Sequence, residues 1–436
     1  MYLNITNYIY QMEQTFNDSS TATATATSNA TTTNISSSEK DGEIGSKMEL
    51  HNYDPSYIIS SWDDLNISES LLRSIHAYGF EEPSPIQTRG IVPIIKGLDT
   101  IGQAQSGTGK TATFVIGALA RIVLTEKTTQ VIMLAPTREL AFQILKVLTG
   151  LSRLMDGLRT QLIIGGNTVD EDINALRKST PHVIVGCPGR VMDMMRRSHI
   201  SSSSIKLVVV DEADEMLSSG FKDQIYNIFQ YFKKDVQVAL FSATLPEDMF
   251  VITEKFMRNP VKIKMKTESL TLEGISQYFV ALEDDTQKYA TLKDIFSAIT
   301  LSQCIIYCNS VRRVAELNEA MREDGFPVCC IHSDMDSEER RITFDKFTVG
   351  EYRVLISSNV TARGIDVQQV STVINFDLPK DNHTYLHRIG RGGRWGRKGV
   401  GISFITKRDV PKIKDIESYY QCQIDEMPGD LSKLMR

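Results

Sequence analysis

The sequence predicts an α/β protein with two tandem domains, each a doubly wound parallel sheet, preceded by a disordered N-terminal tail. Continuous apolar runs such as Leu207–Val210 are typical of strands buried on both faces. Segments with helical periodicity follow these runs, and strands that alternate with helices form parallel sheets. A change in composition near Trp62 separates the tail from this pattern.

The tail is predicted from composition. Residues 17–38 are almost all Ser, Thr, Ala and Asn, which bury too little apolar surface to offset the entropy of ordering. We therefore expect residues 1–60 to be disordered, and Met48 stays open as an alternative start. The chain of 436 residues carries a net charge of −6, of which these 60 residues hold −5. The nearly neutral remainder excludes nucleic-acid binding by bulk charge alone, but not a local basic groove.

The predicted strands are short β-branched runs that end in polar loops. In the first domain, residues 61–265, they are Gln130–Ala135, Gln161–Ile164, His182–Gly186, Lys206–Val210 and Gln237–Phe241. In the second domain, residues 275–436, they are Ile275–Leu282, Cys304–Cys308, Val328–His332, Arg353–Ser357, Thr372–Asn375 and Gly401–Ile405. The polar stretch 266–274 is the predicted linker.

The cysteines and the apolar runs exclude several classes of protein. None of the six cysteines forms a CxxC pair, which favours buried reduced thiols in an intracellular protein over zinc or redox sites. No apolar run approaches the roughly 18–20 residues of a membrane span, so no membrane partner is expected.

A glycine-bearing loop, residues 104–111 (AQSGTGKT), lies between a short strand and a helical run. Such a loop can cradle phosphates with the backbone N–H groups of residues 106–109, while Lys110 reaches the outer phosphates and Thr111 offers a hydroxyl to Mg²⁺. The generic pattern begins with Gly where this chain has Ala104, so an ordinary glycine turn before a helix remains the alternative.

Two carboxylates, Asp211 and Glu212, directly follow the apolar run Leu207–Val210. Ligands bind open α/β sheets at the carboxyl ends of parallel strands. We expect Asp211 to hold Mg²⁺ and Glu212 to orient or deprotonate the attacking water. The alternative is a solvated acidic helix start.

A basic cluster, His387–Arg394, lies in the second domain. Arg391 and Arg394 are three residues apart, so on a helix they share a face and suit phosphate oxygens. A generic basic surface is the alternative.

These segments stand among nine that, in order, resemble the motifs of the DEAD-box ATP-dependent RNA helicases. The nine are Gly79–Gln87, residues 104–111, Pro136–Leu140, Gly165–Gly166, Pro188–Arg190, Asp211–Asp214, Ser242–Thr244, Ala362–Asp366 and His387–Arg394. The resemblance runs from about Trp62 to the C terminus. Within the family, residues 211–226, 255–261 and 387–398 are similar to the branch of translation initiation factor four A. The nuclear exon-junction and ribosome-biogenesis branch looks similar as well.

The resemblance implies RecA-like domains, ATP and Mg²⁺ as cofactors, and a role for each matched residue. The implied nucleotide contacts are Trp62, Phe80, Gln87, Ser106, Gly107, Thr108, Gly109, Lys110, Thr111 and Asp366. The implied catalytic residues are Lys110, Asp211, Glu212, Arg391 and Arg394, with Thr111 and Asp211 at the metal. The implied RNA contacts are Arg138, Gly166, Gly189, Arg190 and Ser358. The residues implied to couple hydrolysis to RNA are Ser242, Thr244, His387 and Arg388.

The chain departs from the family pattern at four places, Cys187, Ser333, Ser337 and Ser358–Asn359. In relatives the last pair is Thr-Asp, whose Asp is thought to brace the domain interface. The departures concern the coupling to RNA more than the binding of nucleotide.

The expected function is that of a monomeric, cytoplasmic RNA-dependent ATPase and helicase that unwinds mRNA 5′ structure in cap-dependent translation initiation. Its expected partners are RNA, read with little sequence preference, and a scaffold protein of a cap-binding complex. The alternative is a nuclear relative that acts as an ATP-locked RNA clamp in splicing, at the exon junction or in rRNA processing.

Overall fold

The computed structural model describes residues 48–105, 107–166, 168–217, 220–245, 249, 253–265, 275–298, 302–359, 369–392 and 399–428. The predicted linker 266–274 and residues 1–47 lie outside this part of the chain. In the described part, no helix combines the length and the apolar character that crossing a membrane requires.

The first domain contains an eight-stranded sheet with the order β1-β8-β2-β7-β6-β3-β5-β4. All its described strand pairs are parallel except β1 with β8. The strands are β1 (Met48–His51), β2 (Thr100–Gln103), β3 (Val131–Leu134), β4 (Thr160–Ile163), β5 (Val183–Gly186), β6 (Leu207–Val210), β7 (Gln237–Ser242) and β8 (Val261–Met265).

The second domain contains a seven-stranded parallel sheet with the order β11-β12-β10-β13-β14-β9-β15. The strands are β9 (Ile275–Ala281), β10 (Gln303–Tyr307), β11 (Val328–Ile331), β12 (Val354–Ser357), β13 (Val370–Asn375), β14 (Gly399–Ile405) and β15 (Asp425–Glu426).

Helices cover both faces of each sheet. In the first domain α1 (Glu69–Ala77), α2 (Gln87–Ile95), α3 (Lys110–Leu119) and α4 (Arg138–Leu151) pack on one face, and α5 (Val169–Lys178), α6 (Pro188–Arg196), α7 (Ala213–Met216) and α8 (Lys222–Phe229) on the other. In the second domain α9 (Gln287–Ala298) and α10 (Val311–Glu323) face α11 (Ser337–Thr348), α12 (Asn382–Ile389) and α13 (Val410–Tyr420) across the sheet.

Alternate residues of a strand enter different cores. Val131 and Met133 of β3 belong to one core, and Ile132 and Leu134 belong to the other. Both faces of the strand are therefore buried, which explains why continuous apolar runs predicted a doubly wound sheet. That prediction is confirmed in both domains, as are the eleven predicted strands.

The predicted disorder was wrong for residues 48–60. Strand β1 pairs with β8, and Ile59 is 4% exposed and belongs to the first core. The prediction averaged composition over the whole tail, so the Ser/Thr-rich tract concealed the apolar residues close to Trp62. Strand β8 was missed for a related reason, because its apolar residues alternate with Lys262 and Lys264.

Candidate functional site

The phosphate loop connects β2 to α3. Gly107 and Gly109 have φ angles of 82° and 99°, which favour glycine. A Cβ at Gly109 would lie 2.6 Å from Nε2 of Gln87, so a larger residue does not fit. Lys110 is 7% exposed and its Nζ makes no hydrogen bond. Because a buried ammonium that makes no hydrogen bond is costly, the loop suits an anion.

Two carboxylates lie beside this loop at the carboxyl end of β6. Asp211 and Glu212 are each 3% exposed, and Oε2 of Glu212 makes no hydrogen bond. Burial, reinforced by the charge of Glu212, raises the pKa of Asp211 to about 7. Glu212 has φ 48°, a left-handed conformation that is strained for a residue with a Cβ and is typical of functional sites.

Residues 84–87 brace the phosphate loop. The Oε1 of Gln87 accepts a hydrogen bond from the backbone N–H of Ser84 at 2.7 Å, and its Nε2 donates to the carbonyl of Gly109 at 3.4 Å. The Ser84 hydroxyl donates to the carbonyl of Thr108 at 2.7 Å. Gln87 thus touches the loop, as a nucleotide-site residue should, while its reading of adenine remains a prediction.

The two predicted aromatic residues of the nucleotide site stack on each other. The rings of Trp62 and Phe80 lie 6.0 Å apart at an interplanar angle of 22°. Trp62 is 1% exposed, and Phe80 is partly buried against the same core. Trp62 therefore packs in the core and supports Phe80, while a contact of these aromatic residues with the nucleotide stays a prediction.

A hydrogen-bond chain, here called the nucleotide-side contact, joins the two domains next to Glu212. The Thr244 hydroxyl donates to Oδ2 of Asp214 at 2.6 Å, and Nε2 of His387 lies 2.9 Å from the same oxygen. The Ser242 hydroxyl accepts from the backbone N–H groups of Asp214 and Thr244. The predicted coupling residues Ser242, Thr244 and His387 therefore meet at Asp214, Ser242 at its backbone N–H and the other two at its carboxylate, and the sequence had assigned no role to this residue.

Arg388 follows His387 within α12, and Arg391 lies just after the end of this helix. All hydrogen bonds described for Arg388 stay within the second domain, with Asn309, Asn359, Asn375 and the carbonyl of Asp377. Burial lowers the pKa of the Arg388 guanidinium to about 10. Asn359 therefore accepts hydrogen bonds from an arginine of its own domain, while a bracing of the domain interface from this position stays a prediction.

Arg391 is 2% exposed, and its Nε donates to the carbonyl of His387 at 3.0 Å. Its place beside the nucleotide-side contact is consistent with the predicted role at the phosphates. Three other predicted site residues, Ser106, Asp366 and Arg394, lie outside the described residues.

A second connection between the domains, here called the α4–α11 ion pair, was missed from the sequence. Arg340 donates from Nε and Nη2 to the two carboxylate oxygens of Glu139, and both side chains are 8% exposed. Glu139 lies within the segment Pro136–Leu140, and Arg340 lies three residues after Ser337. Sequence alone had no signal that these two side chains meet.

A cavity of about 370 Å³ surrounds this ion pair between α4 and α11. Two predicted RNA contacts, Arg138 and Gly166, line it. The cations that line it are Arg138, Lys146, Arg340 and Arg341. The carboxylates that line it are Glu139, Asp336, Glu338 and Asp345, so positive and negative groups balance in this cavity, and it is not the local basic groove that the nearly neutral net charge left open.

The other predicted RNA contacts lie apart from this cavity. Arg190 forms an ion pair with Asp172, and Gly189 is at the start of α6, where a Cβ would lie 3.3 Å from Oε1 of Gln224. The backbone N–H of Ser358 donates to the carbonyl of Ile331 at 3.3 Å. Cys187 is held as a thiol because burial raises its pKa to about 12.

Comparisons with known proteins agree with this geometry. Residues 84–250 match the model of the DEAD/DEAH box helicase family, and residues 287–396 match the helicase conserved C-terminal domain. The chain is 50% identical to eukaryotic initiation factor 4A of Cryptosporidium parvum over 400 residues, which are 92% of this chain and 98% of that protein.

Solved structures support the same assignment. S. cerevisiae Dbp5 bound to RNA and ADP BeF3 is 34% identical and has a TM-score of 0.79, with 86% of this chain and 98% of that chain covered. A Dbp5 variant from S. cerevisiae bound to Nup159, Gle1, IP6 and ADP is 32% identical, with a TM-score of 0.57 over 84% of this chain and 96% of that chain. The chain belongs to the DEAD-box family of ATP-dependent RNA helicases.

Proposed function

We propose that this helicase unwinds structure near the 5′ end of mRNA during translation initiation, working as a cytoplasmic monomer recruited by a scaffold protein of the cap-binding complex. The observation that carries the proposal is the similarity to an initiation factor 4A over nearly the whole of both chains. The nucleotide-side contact and the α4–α11 ion pair support closure of the cleft in each cycle, because each joins the two domains across it.

Closure of the cleft is the central step. The chain has a higher TM-score with the RNA-bound Dbp5 than with the Dbp5 complex that holds Nup159, Gle1 and ADP, at similar identity. This difference supports a closed arrangement of the domains for this chain. In it, Glu212 lies near His387 of the second domain, so hydrolysis depends on closure.

ATP with Mg²⁺ fits the site for two reasons. Lys110 is a buried cation whose Nζ makes no hydrogen bond, and the pKa of Asp211 is raised because its charge is buried beside Glu212. Thr111 and Asp211 would hold the Mg²⁺, which neutralises phosphate charge when bound. Glu212 then positions the attacking water and takes its proton, while Lys110 and Arg391 stabilise charge on the phosphates.

RNA would bind along the cleft edge by its phosphates and 2′-hydroxyl groups. Arg138 and Gly166 from the first domain and Ser358 from the second are the residues proposed for it, and Gly189 and Arg190 extend the surface along α6. Contacts of this kind carry little sequence information but distinguish RNA from DNA.

The test combines enzymology with translation. ATPase activity should rise strongly with RNA and little with DNA of the same sequence. In an extract depleted of its own initiation helicase, the added protein should restore translation of two capped reporter mRNAs to different extents. The effect should be larger for the reporter with a structured 5′ leader than for the one with an unstructured leader. RNA-stimulated ATPase without this rescue would contradict the role in initiation. ATP-dependent RNA retention without turnover would instead support the clamp alternative.

A further inference from the structure

A cluster of three side chains, here called the bridging cluster, lies at the domain interface. Glu212, Asp214 and His387 each present one ligand atom, and these atoms all lie within 4.8 Å of one another. The side chains of Asp214 and His387 are 4% and 1% exposed, and Glu212 is 3% exposed. Two of the residues come from the first domain and one from the second.

One atom of the cluster has no partner. Oε2 of Glu212 is buried and makes no hydrogen bond. A buried carboxylate oxygen of this kind is costly unless a proton donor or a cation satisfies it. The proposed reaction uses this oxygen for the attacking water, and in the closed arrangement without nucleotide it remains available to a cation.

We propose that the bridging cluster binds a transition-metal dication, Zn²⁺, that holds the two domains together. One imidazole and two carboxylates form a ligand set that suits Zn²⁺, whereas Mg²⁺ prefers oxygen ligands alone. The charges of the two carboxylates balance that of a dication.

The spacing agrees with this ligand set. Ligand atoms about 2.1 Å from a metal and 90–110° apart lie about 3.0–3.4 Å from each other. His387 Nε2 and Asp214 Oδ2 are 2.9 Å apart, so an ion can enter between them after a small displacement. A rotation of the Glu212 side chain brings in the third ligand, because its oxygen is within 4.8 Å of both atoms. Solvent completes the coordination.

The bound ion would have two effects. It occupies the oxygen of Glu212 that otherwise accepts the proton of water, so hydrolysis stops. It also ties His387 to Asp214, so the cleft stays closed around RNA. Zn²⁺ therefore converts an RNA-stimulated ATPase into a closed RNA clamp. The loss of hydrolysis rests on the role proposed for Glu212, but the binding of the metal does not.

Direct binding is measured first, with Co²⁺ as a spectroscopic probe of the full-length protein. We expect one Co²⁺ per chain with weak d–d bands and no thiolate charge-transfer band, because no cysteine is in the cluster. His387→Gln should weaken binding at least tenfold, since an amide is a poor ligand. The matched control, His383→Gln, changes another histidine of the same helix and should bind as the parent does.

The functional readout is the release of RNA in the presence of ATP and Mg²⁺. Buffered Zn²⁺ should slow release from the parent protein at least tenfold and lower its ATPase activity, and a chelator should reverse both effects. Equal Co²⁺ binding by the His387→Gln variant, loss of binding in the His383→Gln control, or a thiolate band would overturn the proposal. Failure of the proposed function is a separate result, because it shows as absent RNA stimulation in metal-free buffer.

Discussion

The two connections across the cleft have different construction. The nucleotide-side contact is a chain in which Thr244 and His387 share one carboxylate oxygen of Asp214, beside Glu212, the proposed general base. The α4–α11 ion pair is a bidentate contact between Arg340 and Glu139, and no described hydrogen bond connects it to Asp211 or Glu212.

This difference assigns the two contacts separate tasks. A buried bidentate ion pair holds two surfaces together, and the loss of one partner leaves the other as a buried, unpaired charge. The hydrogen-bond chain instead ends at Asp214, close to Glu212. Opening or closing of the cleft therefore changes the surroundings of the proposed general base. We infer that the α4–α11 ion pair governs how readily the cleft closes on RNA, and that the nucleotide-side contact governs turnover once it is closed.

The largest effect is expected from Glu212→Gln, which leaves both contacts in place. Turnover should fall at least about a hundredfold because the general base is lost, while ATP and RNA should bind as before. Single-turnover hydrolysis and equilibrium binding measure the two properties. Lys110→Ala is the comparison variant and should lose ATP affinity instead. Hydrolysis at the parent rate by the Glu212→Gln variant would refute the base assignment.

Arg340→Ala breaks the α4–α11 ion pair alone. The RNA concentration for half-maximal ATPase should rise at least about tenfold, because Glu139 is left buried without its partner. Turnover at saturating RNA should stay within about threefold of the parent. Arg312→Ala, which removes an exposed ion pair with Glu316, is the control and should change neither value. An unchanged RNA requirement would mean that the ion pair does not contribute to closure.

The two regions also differ in charge balance. Asp211, Glu212 and Asp214 crowd the nucleotide side, whereas the ion pair is balanced one to one. The pKa of Asp211 is raised from 3.8 to about 7, so its burial costs stability as pH rises from about 4 to about 7. Asp211→Asn should therefore gain stability over the parent by about 2–3 kcal/mol more at pH 8 than at pH 5. Denaturant unfolding without nucleotide measures this difference, and an equal gain at both values would contradict the shift.

The smallest effect is expected from Asn359→Asp. A carboxylate at this position turns the hydrogen bonds between the Arg388 guanidinium and a neutral amide into an ion pair, so the second domain should gain about 1 kcal/mol in its free energy of unfolding. Together with Ser358→Thr, it should raise RNA stimulation several fold and leave ATP affinity without RNA unchanged. Denaturant unfolding and RNA-titrated ATPase assays measure the two effects. A loss of stability would show that the three asparagines already suit Arg388.

The features that the sequence predicts are local ones. The phosphate loop, the carboxylates after β6 and the basic helix α12 each carry a pattern within about ten residues, and a parallel sheet brings strand ends to one edge. The sheets follow from the apolar runs for the same reason.

What sequence did not predict depends on contacts between distant segments. Glu139 and Arg340 are 201 residues apart and meet only because the domains close. The hydrogen bond between Arg388 and Asn359 joins residues that are 29 positions apart, and no local pattern reveals it. Residues 48–51 become ordered because β8 offers an edge to pair with, which composition does not reveal.

The division of tasks between the two contacts is tested most directly by titrating RNA against ATPase activity in Thr244→Val, Arg340→Ala and their double variant. Thr244→Val removes a hydrogen bond to a carboxylate, worth about tenfold, and should lower maximal turnover with an unchanged RNA requirement. Thr291→Val is its control, because the hydrogen bond described for the Thr291 hydroxyl is to the carbonyl of Gln287 in the same helix. Arg340→Ala should show the reverse pattern, and the double variant should show both defects at full size. The same defect in both single variants would contradict the account.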